Sequence, residues 1–273
     1  MGVLRERGWV EGHTIAFTWH EAEGSETQIG AHLAAAKADV LLVGGPLRVR
    51  AAMRATTTVP IIGLDLESDP VATGFVKTLA RPGGNVSGIW MDLPEIAGKQ
   101  IQFLREVLPT LSRLGVIWDD RIGQPHFTEV QAVCRTMGIA VLAASLRAQA
   151  EVDGVVKRVV AERPQAILVM TAPVISNALP RIAELVLASR RPAISPFSTF
   201  PALGGLLAYG PDFPSMWRQA AHYVDRVLRG VRVGDLPVER PSKFSLIVNL
   251  KTAREIGVAV PPSLALRADE VIR

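Results

Sequence analysis

The residues of this chain that can do chemistry collect where apolar runs give way to turns. After the run ending at Val43 comes Gly44-Gly45-Pro46-Leu47. Glycine lets a backbone approach a ligand closely, and a helix opening there offers free N–H groups that suit a carboxylate; a simple tight turn is the plain alternative. After Val59–Leu64 comes Asp65-Leu66-Glu67-Ser68-Asp69-Pro70. A carboxylate there can pair with an ammonium group or cap the next helix. Asp69, before proline, is the stronger cap, which leaves Asp65 the freer of the two. Asn85 and Ser87 flank a further turn, where Asn also serves as a local backbone partner. In the second half, Asp119 follows Leu114–Trp118, and Thr171 leads into Pro173 and Val174. Phe197 follows Ser195-Pro196, and Tyr209 precedes Gly210-Pro211. Phe197 and Tyr209 are flat enough to stack on a planar ligand. Any one of these residues alone is explained by packing or capping. Their shared position at strand ends makes them ligand-binding candidates as a set.

The catalytic inventory is otherwise empty. The five histidines show no ligand spacing, and neither H-E-x-x-H nor C-x-x-C occurs, so no metal site is expected. There is no phosphate loop of the form G-x-x-x-x-G-K-[ST] and no G-x-S-x-G elbow. Gly83-Gly84-Asn85-Val86-Ser87-Gly88 fails as a dinucleotide fingerprint because it precedes a strand pattern rather than opening a helix after one. No cofactor is expected. Cys134 is the single cysteine, which excludes an internal disulfide and two-cysteine racemase chemistry. It falls in a helical pattern and reads as a small core residue. An enzyme built on this chain would have to use Asp65 or Asp119 with a displaced pKa. The reading is therefore a binding protein, not an enzyme.

These residues need elements to position them. His13–Trp19 alternates as a strand, and Glu26–Lys37 has helical spacing. Strands follow at Asp39–Val43, Val59–Leu64 and Val86–Met91, with a helix around Leu47–Arg54 and a short helix from Asp69 to Leu79. Pro94–Val107 is a longer helix. A second series has strands at Leu114–Trp118, Ile139–Ala144, Ala166–Met170, Ala193–Ser195, Gly205–Tyr209 and Phe244–Asn249. Its helices are Phe127–Met137, Glu151–Glu162, Ile182–Ser189, Ser215–Arg229 and Thr252–Ile256, the last capped by Gly257. Alternating strands and helices predict an α/β fold with two doubly wound, mainly parallel sheets. One lobe is expected over 1–92 plus 211–233 and the other over 93–210 plus 240–273, with crossings near 91–94, 209–213 and 233–240. A doubly wound lobe ordinarily begins with its central strand. This chain begins with what reads as the last turns of a helix, Gly2–Arg7, so the first lobe is expected to lack its N-terminal strand, the natural product starting upstream or having been trimmed.

Composition bounds the class. With 273 residues and 48% hydrophobic side chains, the chain can bury substantial cores, and at 5% aromatic content aliphatic residues must fill them. The net charge of +4 comes from 30 basic and 26 acidic residues that are scattered rather than striped, so no nucleic-acid partner is expected. No apolar run reaches the roughly 18 residues of a membrane span, and the N-terminus has no apolar signal-peptide core.

Several segments taken in order resemble a known family: G-V-L-R-E-R-G-W-V-E-G-H-T-I, T-V-P-I-I-G-L-D-L-E-S-D-P-V-A-T-G-F-V, L-A-R-P-G-G-N-V-S-G, A-G-K-Q-I-Q-F-L-R-E-V-L-P, G-G-L-L-A-Y-G-P-D, and the tail from Ser242 to Arg273. They are similar to the substrate-binding proteins of ABC importers, in the branch that includes tryptophan- and tyrosine-binding members. The resemblance implies a type I periplasmic-binding-protein fold that captures a small molecule in the cleft between lobes, an amino acid or aromatic acid among the options. It implies an ABC transporter permease as membrane partner and a periplasmic or extracytoplasmic location for a full-length member. Against the family pattern, Leu47 and Arg48 stand where small or hydroxylated residues are common. Arg48 either brings positive charge to a cleft and favours an acidic ligand or points to solvent. The alternative function is an intracellular small-molecule sensor of the same fold.

Overall fold

The computed structural model describes all residues except Met1, residues 21–24, Glu67, Asp92 and Leu93; the side chains of Pro94 and Glu95 also lie outside the description. In chain order the elements are α1 (Gly2–Glu6), α2 (Glu26–Ala35), β1 (Leu41–Gly44), α3 (Pro46–Ala55), β2 (Ile61–Asp65), β3 (Val86–Trp90), α4 (Pro94–Val107), β4 (Arg113–Trp118), α5 (Gln124–Thr136) and β5 (Ala140–Ser145). They continue with α6 (Val152–Ala161), β6 (Ala166–Val169), α7 (Pro173–Ala188), β7 (Ala193–Ser195), β8 (Leu207–Pro211), α8 (Phe213–Leu228), β9 (Phe244–Asn249), α9 (Leu250–Ile256), α10 (Pro262–Arg267) and β10 (Glu270–Ile272). Two compact units emerge. Unit 1 is Met1–Asp92 with Phe213–Lys243, and unit 2 is Leu93–Asp212 with Phe244–Arg273.

Unit 1 carries a three-stranded parallel sheet in the order β1-β2-β3. Every residue of β2 and β3 is buried, as expected for parallel strands covered on both faces. The helix α8 presents Met216, Ala220, Tyr223 and Val224 as its buried stripe and packs on β2 and β3. Backbone approach is tight at the centre of the sheet. A Cβ on Gly63 would lie 2.1 Å from Cη2 of Trp90, and one on Gly88 (φ +143°) would lie 2.1 Å from the Gly63 carbonyl oxygen. The first residues are tied to α8 through buried Asp225. Its carboxylate accepts from Arg7 (2.8 Å), the Trp9 indole (2.8 Å) and Arg229 (2.7 Å).

Two expectations fail in this unit. Residues 13–19 form no ladder strand among the described residues, where the pairing seen is an isolated bridge between Glu11 and Ile15. Alternation assigns side chains to faces, but a strand also needs a neighbour for its N–H and C=O groups, and β1 pairs only with β2 among the described residues. The stretch Asp69–Leu79 is a chain of turns rather than a helix. Asp69 Oδ1 accepts from the N–H groups of Val71 (2.8 Å) and Ala72 (3.1 Å), and the Thr73 hydroxyl donates to the Asp69 carbonyl. Gly74 then turns left-handed at φ +75°, and no helical ladder propagates.

Unit 2 holds a seven-stranded sheet in the order β10-β9-β8-β7-β6-β4-β5, parallel throughout except where β8 meets β9. One face is covered by a core that includes Ile101, Leu104, Phe127 and Val130 from α4 and α5. The other is covered by valines of α6 and by Ile175, Leu179 and Ile182 of α7. The expected helix from Ile182 in fact starts at Pro173 and runs through Pro180. Proline inside a helix removes one donor. Burial of Ile175, Ala178, Leu179, Ile182, Ala183 and Val186 on one stripe outweighs that loss. The tail adds α10 and β10, which the sequence patterns did not announce; β10 pairs parallel with β9.

Candidate functional site

In open α/β sheets, ligands bind beyond the carboxyl ends of the strands, and most favourably where the winding reverses direction. Unit 2 reverses at β4, which lies between β5 and β6. The loops leaving β4 and β6 therefore diverge at neighbouring positions, with Ile117 registered to Val169. Asp119 and Thr171 are in those two loops. Phe197 follows the next strand, β7.

Asp119 is 2% exposed and is held bidentate by Arg121, with Nε at 2.8 Å from Oδ1 and a terminal nitrogen at 2.6 Å from Oδ2. Asp120 beside it accepts from Ser145 Oγ (2.6 Å) and pairs with Arg147. The Arg147 hydrogen bond, helped by Ser145, holds the Asp120 carboxyl far below the usual carboxylate range. Each carboxylate of this loop is thus neutralised by an arginine. Arg121 stands two residues after Asp119, a spacing at which a local pair was legible.

Across the reversal, Thr171 Oγ1 is buried and has no partner among the described residues. Pro173 opens α7 and is exposed, and Val174 is half-buried. Phe197 is also half-buried and packs on the valine-rich core. Tyr209 lies inside β8 rather than beyond it. Its ring meets Phe103 edge-on at 5.0 Å and stacks with Phe244 at 6.1 Å, while its carbonyl accepts from Gln100 (3.0 Å). Burial, and then the charge of Asp269, raise its phenol pKa.

Pattern reasoning passed over two buried polar side chains in this unit. His126, in the first turn of α5, is 2% exposed with both ring nitrogens unpartnered among the described residues. Desolvation pulls its pKa down to about 4. Gln100 of α4 is fully buried and leaves Oε1 unpaired. Each is flanked by apolar neighbours at helical spacing, so each reads as a minor polar interruption of a core face.

In unit 1 the carboxyl ends of β1 and β2 bring Gly45–Leu47 beside Asp65–Asp69. Gly45 caps α3 at φ +79° and donates to the Leu64 carbonyl (2.9 Å); Pro46 occupies the first helical turn and Leu47 is 42% exposed. Arg48 reaches back to the Gly44 carbonyl (3.3 Å). Asp65, expected to be the freer carboxylate, is fully buried and accepts from the Ser68 hydroxyl. Asp69 is the exposed one. A cavity of ≈ 70 Å³ opens here, lined by Ser68, Asp69, Leu79, Trp90, Val238 and Arg240 among others.

Asn85 and Ser87 are not part of this edge. They stand at the start of β3, which runs parallel to β2, so they lie at the opposite end of the sheet. Asn85 Nδ2 donates to the carbonyls of Thr56 and Val59, both at 3.0 Å. Ser87 is fully buried and donates to the Leu236 carbonyl at 2.7 Å. Both side chains stitch the backbone. Trp90, which no motif singled out, takes their place at the carboxyl end of β3.

Among the described residues no group of three or more His, Cys, Asp or Glu side chains could hold a metal, and no helix is long and apolar enough to cross a membrane. The arrangement offers shaped loops, hydrogen-bond donors and charged groups: the means to hold a small molecule.

Comparison with known proteins agrees with that geometry. A conserved domain protein from Vibrio cholerae has a similar structure, with a TM-score of 0.89 at 22% identity over 99% of this chain and 92% of that one. An ABC domain from Streptococcus pneumoniae, crystallised in complex with L-Trp, matches with the same TM-score of 0.89, 22% identity and the same coverage of 99% and 92%. These likenesses establish the type I periplasmic-binding-protein fold. A tyrosine-binding protein of Clostridioides difficile is 24% identical over 260 residues, 93% of this chain and 74% of its own length. The sequence model of the ABC transporter substrate binding protein family, a family of binding proteins and not of enzymes, matches residues 2–272, and the chain belongs to that family.

Proposed function

We propose that this chain is the solute-capturing component of an ABC importer, working outside the cytoplasm and handing an amino acid or aromatic acid to a membrane permease. The observation that carries the reading is the match of nearly the whole chain to the substrate-binding family. The relatives that bind tyrosine or hold L-Trp set the first ligands to try. Gly45, Pro46, Leu47, Asp65 and Asp69 are proposed to contribute from unit 1. Asp119, Thr171, Pro173, Val174, Phe197 and Tyr209 are proposed to contribute from unit 2. Family proteins of this kind change conformation on binding because the ligand adds contacts available in only one state.

The test is a thermal-unfolding screen of L-tyrosine, L-tryptophan, other amino acids and small aromatic acids. A ligand present at about 100 times its Kd should add roughly 2.7 kcal/mol of stability. If no compound in these classes shifts the transition, the ligand assignment fails. Uptake of the identified solute by cells carrying the cognate permease, lost on deletion of this gene, tests the importer role.

A further inference from the structure

Arginines scattered along the sequence of unit 2 are gathered by its topology at one edge of the sheet. β4, β5, β6 and β7 run parallel, so the chain enters all four at the same edge, opposite to the one that holds Asp119 and Thr171. Arg113 opens β4. Arg135 is in the last turn of α5, before β5. Arg158 is in the last turn of α6, and Arg163 follows that helix before β6. Arg190 and Arg191 stand between α7 and β7. Arg191 is half-buried and the others are exposed. None of them is in an ion pair among the described residues; Arg113 donates to the Glu162 carbonyl. From the last turns of α5, α6 and α7 up to the strands that follow, Glu162 is the one acidic residue, and Glu106 at the end of α4 is taken by Arg267. At the opposite edge the charges are matched, Asp119 with Arg121 and Asp120 with Arg147.

The negative end of a helix favours a nearby cation, which accounts for Arg135. It does not account for two arginines at the end of α6, two more after α7, and Arg113 in the sheet. Arg163 and Arg190 also hold φ of +52° and +54°, the left-handed position past a helix end that glycine ordinarily fills. Like charges set this close repel one another, and an anionic partner relieves the repulsion. Arg135 belongs to the helix layer on one face of the sheet, and the arginines of α6 and α7 to the layer on the other. With strands about 4.8 Å apart and helices roughly 10 Å to either side, the patch covers on the order of 15 by 20 Å. That is an area rather than a stripe, and these turns carry no aromatic side chain. A nucleic-acid strand asks for a tracking groove and stacking rings; a plane of phosphates asks for neither, and the planar guanidinium matches phosphate oxygens. We propose that this edge of unit 2 docks on a membrane surface rich in anionic phospholipid, its arginines set against the headgroup phosphates. The inference goes beyond the transport reading and does not depend on it.

The experiment is co-sedimentation of the full chain with phosphatidylglycerol vesicles and with phosphatidylcholine vesicles, each at low and at high salt. Binding should be confined to phosphatidylglycerol and should fade as salt rises, because screening shortens the reach of surface charge. The double variant Arg163→Gly/Arg190→Gly removes two of the charges and puts glycine where the backbone is left-handed, so it should unfold no earlier than the wild type. At about fivefold per lost charge, it should bind phosphatidylglycerol roughly 25-fold more weakly. The control Arg5→Gln/Arg232→Gln removes the same net charge from exposed positions of unit 1 and should bind as the wild type does. Absence of binding at low salt, equal binding to phosphatidylcholine, or equal weakening in the two double variants overturns the proposal. Binding of duplex DNA without binding of vesicles assigns the edge to nucleic acid and overturns it as well. The vesicles carry no solute, so the result stands apart from that of the thermal-unfolding screen.

Discussion

His126 should make the protein acid-sensitive in a defined window. The imidazole is 2% exposed in the first turn of α5. Neither nitrogen has a partner among the described residues, and a helix N-terminus disfavours an added positive charge. Burial lowers its pKa from 6.5 to about 4. The unfolded chain therefore takes up a proton, as pH falls below about 6.5, that the folded chain refuses until about pH 4. Stability from this residue is complete above the upper value, declines through the window and levels off below it. At about 1.4 kcal/mol per pKa unit, the loss is roughly 2 kcal/mol by pH 5 and about 3 kcal/mol in full. The perturbation is His126→Met, which keeps comparable bulk and has no titrating group. Urea unfolding at about pH 7 and pH 5 reads the result. The wild type should lose about 2 kcal/mol more than the variant between the two conditions, because every other titrating group is common to both and cancels. The variant should also match or exceed the wild type at neutral pH, since it removes two unpaired buried nitrogens. Parallel pH profiles for the two proteins would refute the reasoning and would mean that His126 is charged, or paired through water, in the folded state.

Other expectations concern the frame. Asp225→Ala removes the shared acceptor of Arg7, Trp9 and Arg229. It should cost about 2–3 kcal/mol, discounted for the exposed arginines, and should speed proteolysis within the first ten or so residues, read by mass spectrometry. Burial pushes the Asp225 carboxyl up, but its bonds from Trp9, Arg229 and Arg7 prevail and bring it down from 3.8 to about 2. The stability it supplies is therefore complete above the ordinary carboxylate value and is lost only as pH falls towards about 2; an acid titration of N-terminal protection checks this. Gly88→Ala must place a Cβ 2.1 Å from a backbone oxygen at φ +143° and should cost about 3 kcal/mol or more in chemical unfolding. Gly257→Ala, at φ +74° with nothing within 4 Å, should cost only about 1 kcal/mol. Similar losses for the two glycines would show that contact distance is not what separates them.

Much of the frame was legible because apolar runs and helical spacing are local. Pro94–Val107 and Phe244–Asn249 were read to the residue. The αL cap at Gly257 followed from a glycine after the last periodic position, and its φ is +74°. Illegible features depended on partners distant in sequence. Ile15, Phe17 and Trp19 alternate well, but nothing in their spacing tells whether a strand lies alongside. Pro180 argued against a helix locally, and only the buried stripe around it overrides the proline. At the strand ends, Asp69 was read as the cap, and its Oδ1 accepts two backbone N–H groups; Asp65 was read as the freer carboxylate, and it is fully buried. Which one is buried depends on the turn that Ser68 completes. Asn85 and Ser87 were read at the turn into Val86–Met91, and the backbone-partner role offered for Asn85 is the one seen; as ligand candidates they stand at the wrong end of a parallel sheet, a direction that depends on the pairing of β3 with β2. Trp90 and Arg240 are about 150 residues apart in the chain, and only the return of the chain after α8 brings them to one cavity.

The antiparallel meeting of β8 and β9 has a consequence for synthesis. Between those neighbouring strands the polypeptide departs for the whole of 213–243, which belongs to unit 1. On the ribosome, unit 1 therefore waits for α8, and unit 2 stays open at one side until the last thirty residues emerge. Neither half can mature separately in order of translation. The nascent chain must keep two unfinished sheet edges from pairing with the wrong neighbour until its final strand is delivered.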